Sequence, residues 1–186
     1  MSTRGFLTLV IDGQEKTGFN HWDSYPSGFG IDVLHWLRDS AVNQVDVVKQ
    51  RARDLRLVTK AEATDADVYD VGRDVGALLA AGSLVDSSEF PLDSLFAEWG
   101  YVIDFDAAVF EVYRGFQTAS HDKGRFASRP LRLPEHRSVL GTQYWPAALV
   151  RQWPFSALPT DRQFGEWVEK FWQAEEEEYE RSHDGA

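Results

Sequence analysis

Asp12-Gly13 is the feature that most constrains this chain. It separates the apolar run Phe6 to Ile11 from a second run, Gln14 to Phe19. Asp-Gly readily supplies the two positive-φ positions of a type I′ turn, the tightest link between antiparallel strands. The N-terminus is therefore expected to be a hairpin, with Gly18 marking a bulge or a close approach. A second hairpin is expected where Glu98 to Asp104 and Val109 to Arg114 flank Asp104-Phe105-Asp106-Ala107-Ala108. Tyr101, Val102, Ile103, Phe110, Val112 and Tyr113 are the β-branched and aromatic residues that suit pleated strands.

Helical periodicity fills much of the rest. Ile31, Leu34 and Leu37 or Trp36 give a helix over about 31–41 an apolar side. Asn43 with Asp46 reads as the start of a second helix, with Val45, Val48, Ala52 and Leu55 buried and Arg51, Arg53 and Arg56 suiting its C-terminal dipole. Val68, Val71, Val75 and Leu78 predict a third over 64–81, weakened by Gly72 and Gly76. The last helix opens on the capping box Thr160/Gln163, and Phe164, Trp167, Val168, Phe171 and Trp172 follow at i, i+3, i+4, i+7 and i+8. Pro91 to Phe96 reads as a short helical turn, Thr118 to Pro134 as a long charged loop, and the segment between Trp145-Pro146 and Trp153-Pro154 as a strand or turn on the core. The expected fold is α+β: an antiparallel sheet built from hairpins and packed against several helices, in a single domain over 1–182 with a disordered tail at 183–186. A chain of 186 residues with 43% hydrophobic content is long enough to bury such a core.

The net charge of −11 works against broad nucleic-acid or anionic-membrane binding, which need phosphate neutralisation. No apolar run approaches the length of a membrane span, and Met1 to Gly5 lead into a strand without a signal-peptide apolar region, so a cytoplasmic protein is expected. Zero Cys removes disulfides, thiolate catalysis and Cys-based metal sites.

Side chains with chemistry are densest in Asn20-His21-Trp22-Asp23-Ser24-Tyr25-Pro26-Ser27-Gly28-Phe29-Gly30. If the strand continues, Asn20, Trp22 and Ser24 share one face and anchor the hairpin, while His21, Asp23 and Tyr25 share the other. Those three are the candidate catalytic residues. A Ser24–His21–Asp23 triad is opposed by that alternation and by the lack of a G-x-S-x-G elbow. His21 and Asp23 could meet a distant His35, His121 or His136 around a metal, but H-x-D is a weak pattern, and a hydrogen-bonded His21–Asp23 pair fixing the turn is the simpler reading. No metal and no cofactor are assigned. Arg114, Lys123, Arg125, Arg129, Arg132 and Arg137 against Asp122 and Glu135 could hold an anion. Asn20, His21, Asp23, Tyr25, Arg114 and Arg125 are accordingly the candidate ligand-binding residues, although loop charges paired to the acidic body remain the plainer account. Trp22, Trp36, Trp145 and Trp153 lie near turns, where exposed aromatics make interaction hot spots.

Thr3-Arg4-Gly5 with Asn20 to Gly30 resembles a family of fungal, actinobacterial and phage proteins whose members read TRG, a strand hairpin, then NHxDSYPxGLG. Glu98 to Asp104 and Glu111 to Phe116 are similar to a later segment of that family. Phe29 stands where its members tend to have Leu. The resemblance implies no activity, because none is established for the family. A looser likeness to N-terminal-nucleophile hydrolases rests on the opening hairpin and the Asp-Ser turn. Here Ser2 follows Met1 and would be exposed only after Met removal.

Two functions are expected from these readings. The first is a cytoplasmic binding or effector protein, phage-encoded in one form, that meets a protein partner or a small ligand through an aromatic and acidic surface. The second is a small-molecule hydrolase or transferase, with its site at Asn20–Tyr25 and the Arg114–Arg137 loop clamping a small anionic ligand.

Overall fold

The computed structural model describes residues 3–41, 43–129, 138–139 and 141–183. In chain order the elements are β1 (Gly5–Ile11), β2 (Gln14–Asn20), α1 (Ile31–Trp36), α2 (Val45–Asp54), β3 (Arg56–Val58), α3 (Val75–Ala81), β4 (Ser83–Val85), β5 (Trp99–Asp104), β6 (Val109–Arg114), β7 (Ser138–Val139), β8 (Thr142–Gln143), β9 (Ala148–Pro154) and α4 (Asp161–His183). The fold is α+β. A five-stranded sheet in the order β2-β1-β5-β6-β9 forms its centre, and β3-β4 and β7-β8 pair separately.

Both expected hairpins form. Asp12 and Gly13 take φ of 52° and 72°, the left-handed pair of a type I′ turn, between the paired residues Ile11 and Gln14. In the second turn Asp104 Oδ1 accepts the amides of Asp106 at 2.9 Å and Ala107 at 2.8 Å. The turns also meet: the Asp106 carboxylate accepts the amides of Asp12 at 2.9 Å and Gly13 at 2.8 Å. Antiparallel pairing holds within each hairpin, but β1 joins β5 in parallel, so the sheet is mixed. Such a junction leaves β1 and β5 central, and both are buried along their whole length.

One face of the sheet packs Leu7, Leu9, Ile11, Tyr101, Ile103 and Phe110 against Phe29, Val33, Leu37, Ala52 and Phe164 of the helical layer. The other face packs Phe6, Val10, Val102 and Tyr113 under Leu92, Ala97 and Phe126. Gly18 is a close-approach point: a Cβ there would lie 2.5 Å from Val71 Cγ2.

The long third helix does not form. Gly72 adopts φ 63°, and the helix begins only at Val75, where Asp74 Oδ1 accepts the Ala77 amide at 3.0 Å. The preceding residues run through turns with single bridges at Val68 to Leu84 and at Asp70 to Phe19 on the edge of β2, and the Val71 amide donates to Phe19 O at 2.8 Å. Strand-edge hydrogen bonds outweigh the valine periodicity there. Asn43 does not cap α2 either, because its amide group turns back to Asp39 O at 3.0 Å. Phe90–Leu92 forms a single 3-10 turn, and the strand reading of the Trp153 segment holds as β9.

The Thr160/Gln163 capping box is present, with the Thr160 amide donating to Gln163 Oε1 at 2.9 Å and the Gln163 amide to Thr160 Oγ1 at 3.3 Å. From there α4 runs 23 residues to His183, about 34 Å at ~1.5 Å per residue. The other tail residues, 184–186, lie outside the described residues.

Candidate functional site

At the end of β2 the Asn20 carboxamide turns inward and donates to Trp22 O and to Ser24 Oγ, each at 2.7 Å. The Ser24 amide donates to Thr3 O at 3.2 Å, and the Tyr101 hydroxyl donates to Ser24 O at 2.8 Å. Asn20 and Ser24 are buried, and they are the anchors of the hairpin. Trp22 is not the third. β2 ends at Asn20, so the two-residue alternation does not reach Trp22, which is 62% exposed with its indole edge-on to His21 at 4.6 Å. With its hydroxyl held inside, Ser24 is not placed to attack a substrate, so the local triad has no nucleophile.

The other three residues stay nearer the surface. His21 is half-buried, and its amide donates to Asp70 Oδ1 at 3.2 Å. Asp23 and Tyr25 are exposed. The cation beside Asp23 is Arg73, which lies 3.6 Å from Asp23 Oδ2 and makes a short contact with Asp32. Gly28 closes the turn, since a Cβ there would lie 2.5 Å from Asp23 Cγ. The expected metal partners go elsewhere: His35 pairs with Asp161 at 3.0 Å and His121 Nε2 contacts Pro146 O at 2.8 Å, while His136 lies outside the described residues. Among the described residues no group of three or more metal-binding side chains converges.

Neither Arg114 nor Arg125 is brought to this junction. Arg125 donates to both oxygens of Glu111 at 2.9 Å, to Asp104 Oδ2 at 2.7 Å and to Glu15 Oε1 at 3.4 Å. Burial opposes its charge, but its hydrogen bonds to Glu111 and Asp104 outweigh that and hold the guanidinium pKa above its ordinary value. Burial, with the nearby Glu111 charge, raises the Tyr113 phenol as well. Glu15 and Asp104 both pair with Val10, whereas Asn20 pairs with Gly5. Five residues of strand, about 17 Å, separate the two ends at ~3.4 Å per residue. Arg125 also sits on the opposite face of the sheet, with Tyr113. Arg132, Glu135 and Arg137 lie outside the described residues, as does Ser2.

Arg114 stands at the Asn20 end but three strands across, roughly 14 Å at ~4.8 Å per strand. Its guanidinium lies 5.0 Å from the Trp99 ring centre, 4.9 Å from Phe116 and 5.4 Å from Trp172. It donates to the two oxygens of Glu175 at 3.3 and 3.1 Å. Outside it, Phe116, Thr118, Trp172, Glu175, Glu176, Glu178 and Tyr179 line an open groove of about 690 Å³. Phe116, Trp172 and Tyr179 are all exposed, Tyr179 by 65%. Phe116 is held at φ 57°, a left-handed conformation that is costly for an aromatic residue, with its amide donating to Ser94 O at 2.7 Å.

Reading α4 as a core helix misses this groove. Trp172 and Tyr179 are seven residues apart, two helical turns on one side, so the aromatic stripe continues past the point where the sheet ends. That spacing was the available signal. Of the other tryptophans near turns, Trp36 and Trp145 are half-buried and Trp153 is in the core.

Comparison with known proteins adds no relative: no family model, no curated protein and no solved structure matches the chain.

Proposed function

We propose that this chain is a cytoplasmic binding protein that docks a protein partner on the aromatic groove at the end of α4. The observation that carries this reading is the exposure of Phe116, Trp172 and Tyr179 around the Arg114–Glu175 pair. Aromatic side chains present large, rigid contact area and dominate binding hot spots. The strained backbone at Phe116 supports it further, because a cost of roughly 1–3 kcal/mol at a surface aromatic is a mark of functional sites. The resemblance of Thr3 to Gly30 to a family that includes phage proteins supports an effector acting in a host cytoplasm. Site-specific photo-crosslinking tests the reading. A benzophenone side chain at position 179 is expected to trap a discrete partner in cells, and one at position 65 is not. Crosslinks at 65 and none at 179 would sink it.

The second reading, a hydrolase or transferase at the Asn20–Tyr25 junction, is supported by the exposure of Asp23 and Tyr25 and by Arg73 beside Asp23, which in this reading would serve in place of Arg114 and Arg125 as the clamp for a small anionic ligand. Its test is thermal-shift screening of metabolites. A hit lost on Arg73→Ala and kept in Tyr179→Ala supports it, and a hit kept in both removes it.

A further inference from the structure

We infer that the segment seated in the α4 groove is arginine-bearing, and that it lays a guanidinium on the outer faces of Trp172, Tyr179 and Phe116 with Glu176 and Glu178 taking its charge. This rests on the binding reading above and names the chemistry of the partner.

Charge is the first argument. Glu175 is committed to Arg114, whereas Glu176 and Glu178 make no ion pair with any described residue. Both carboxylates border the groove and leave its rim negative. A docked cation offsets that charge. An anionic partner would meet like charge, which excludes nucleic acid and acidic lipid at this face.

Arg114 supplies the second argument. On the inner side of the groove a guanidinium is already held by Trp99, Phe116 and Trp172 at 4.9–5.4 Å, with a carboxylate across it. The outer side repeats the same ingredients: exposed ring surface of Phe116, Trp172 and Tyr179, with Glu176 and Glu178 beside it. The ring quadrupole attracts any cation. A guanidinium fits better than an ammonium, because it is planar, weakly hydrated, and able to stack while donating to a carboxylate in its own plane.

Tyr179 and the glutamates lie on the turns of α4 past its last buried contact, Val168, and its half-buried Phe171. The groove is open to an extended segment there.

The test measures fluorescence anisotropy of labelled octa-arginine, octa-lysine and a Gly-Ser octamer with the full chain at about 0.15 M salt, where the Debye length of ~8 Å suppresses long-range attraction. Octa-arginine is expected to bind about fivefold tighter than octa-lysine, because only a guanidinium stacks on a ring while donating to a carboxylate in its own plane, and the neutral peptide not at all. Tyr179→Ala, and Glu176→Gln with Glu178→Gln, are each expected to weaken octa-arginine about fivefold. Both changes are at exposed positions and leave the core intact, unlike Trp172→Ala, which touches Trp99. Asp46→Asn with Asp65→Asn removes the same charge away from the groove and is expected to leave affinity unchanged. Equal affinity for the arginine and lysine peptides, or equal weakening by the distant pair, overturns the inference, because charge attraction alone would then account for binding. So does self-association of the chain that Tyr179→Ala abolishes, since the occupant would be a second copy. A partner crosslinked at position 179 without arginine preference leaves the binding reading standing and removes only the guanidinium.

Discussion

The Asn20 carboxamide donates to the Ser24 hydroxyl at 2.7 Å, closing the turn between β2 and the α1 layer from inside the protein. Both side chains are almost wholly buried, and Ser24 O also receives the Tyr101 hydroxyl at 2.8 Å. Deleting Asn20 therefore removes the donor to the buried Ser24 hydroxyl. Asn20→Ala is expected to cost about 1–3 kcal/mol, the usual cost of one buried polar group left unpaired. Trp22→Ala, two residues on but at the surface, should change stability by less than about 0.5 kcal/mol. Urea denaturation of the two variants checks this, and equal losses would show that the exposed indole anchors the turn after all.

Arg125 lies among Glu15, Asp104 and Glu111 on the second face of the sheet, with its side chain 18% exposed. Arg125→Met leaves Asp104 and Glu111 without their cation near Tyr113, while Glu15 keeps Arg129. The expected loss is about 3–5 kcal/mol, the usual cost of breaking a buried ion pair from one side. Adding Glu111→Gln to that variant should recover part of it. A double variant no more stable than Arg125→Met alone would mean that the loss comes from packing and not from unpaired charge.

Lys16 ends α2. Its buried ammonium donates to Ala52 O at 2.8 Å, Arg53 O at 2.6 Å and Leu55 O at 2.6 Å. Burial pulls its pKa below the ordinary lysine value, against the opposing charge of Asp54. Lys16→Met keeps the length of the chain and removes the donors, and should cost about 1–3 kcal/mol. Amide exchange offers a local readout: residues 51–55 are expected to lose protection before β1 does. Uniform loss across the sheet would argue against a capping role.

Asp67 provides the acid-pH signature. Hydrogen bonds from Ser83 and from the Thr64 amide and hydroxyl bring its carboxyl down to about 2, from 3.8 in a free side chain. Because the folded value is the lower one, its contribution is complete above the unfolded pKa and is lost as pH falls through the folded one. The stability difference between wild type and Asp67→Asn, followed by urea midpoint, should therefore shrink between pH 4 and pH 2 and stay constant from pH 5 to 7. A difference that grows on acidification would contradict the assignment.

The sequence by itself determined what adjacent residues settle among themselves. Asp12-Gly13 and the Asp104–Ala108 turn specify both hairpins through local φ and side-chain bonds, and Thr160 with Gln163 starts α4, because each motif brings its own partners. Tertiary structure alone decided the rest. The parallel β1–β5 pair joins segments with about ninety residues between them. Lys16 finds its carbonyls more than thirty positions away, and Arg125 reaches back to Glu15 across 110. Such contacts leave no period in a sequence, since a charged side chain reads the same whether it meets water or a distant carboxylate. At the Asn20–Tyr25 junction β2 stops at Asn20 and Trp22 lies outside, a strand end that alternation by itself does not encode. The α4 groove lies between these cases: its rings are spaced in the sequence, but only the end of the sheet decides which of them are covered.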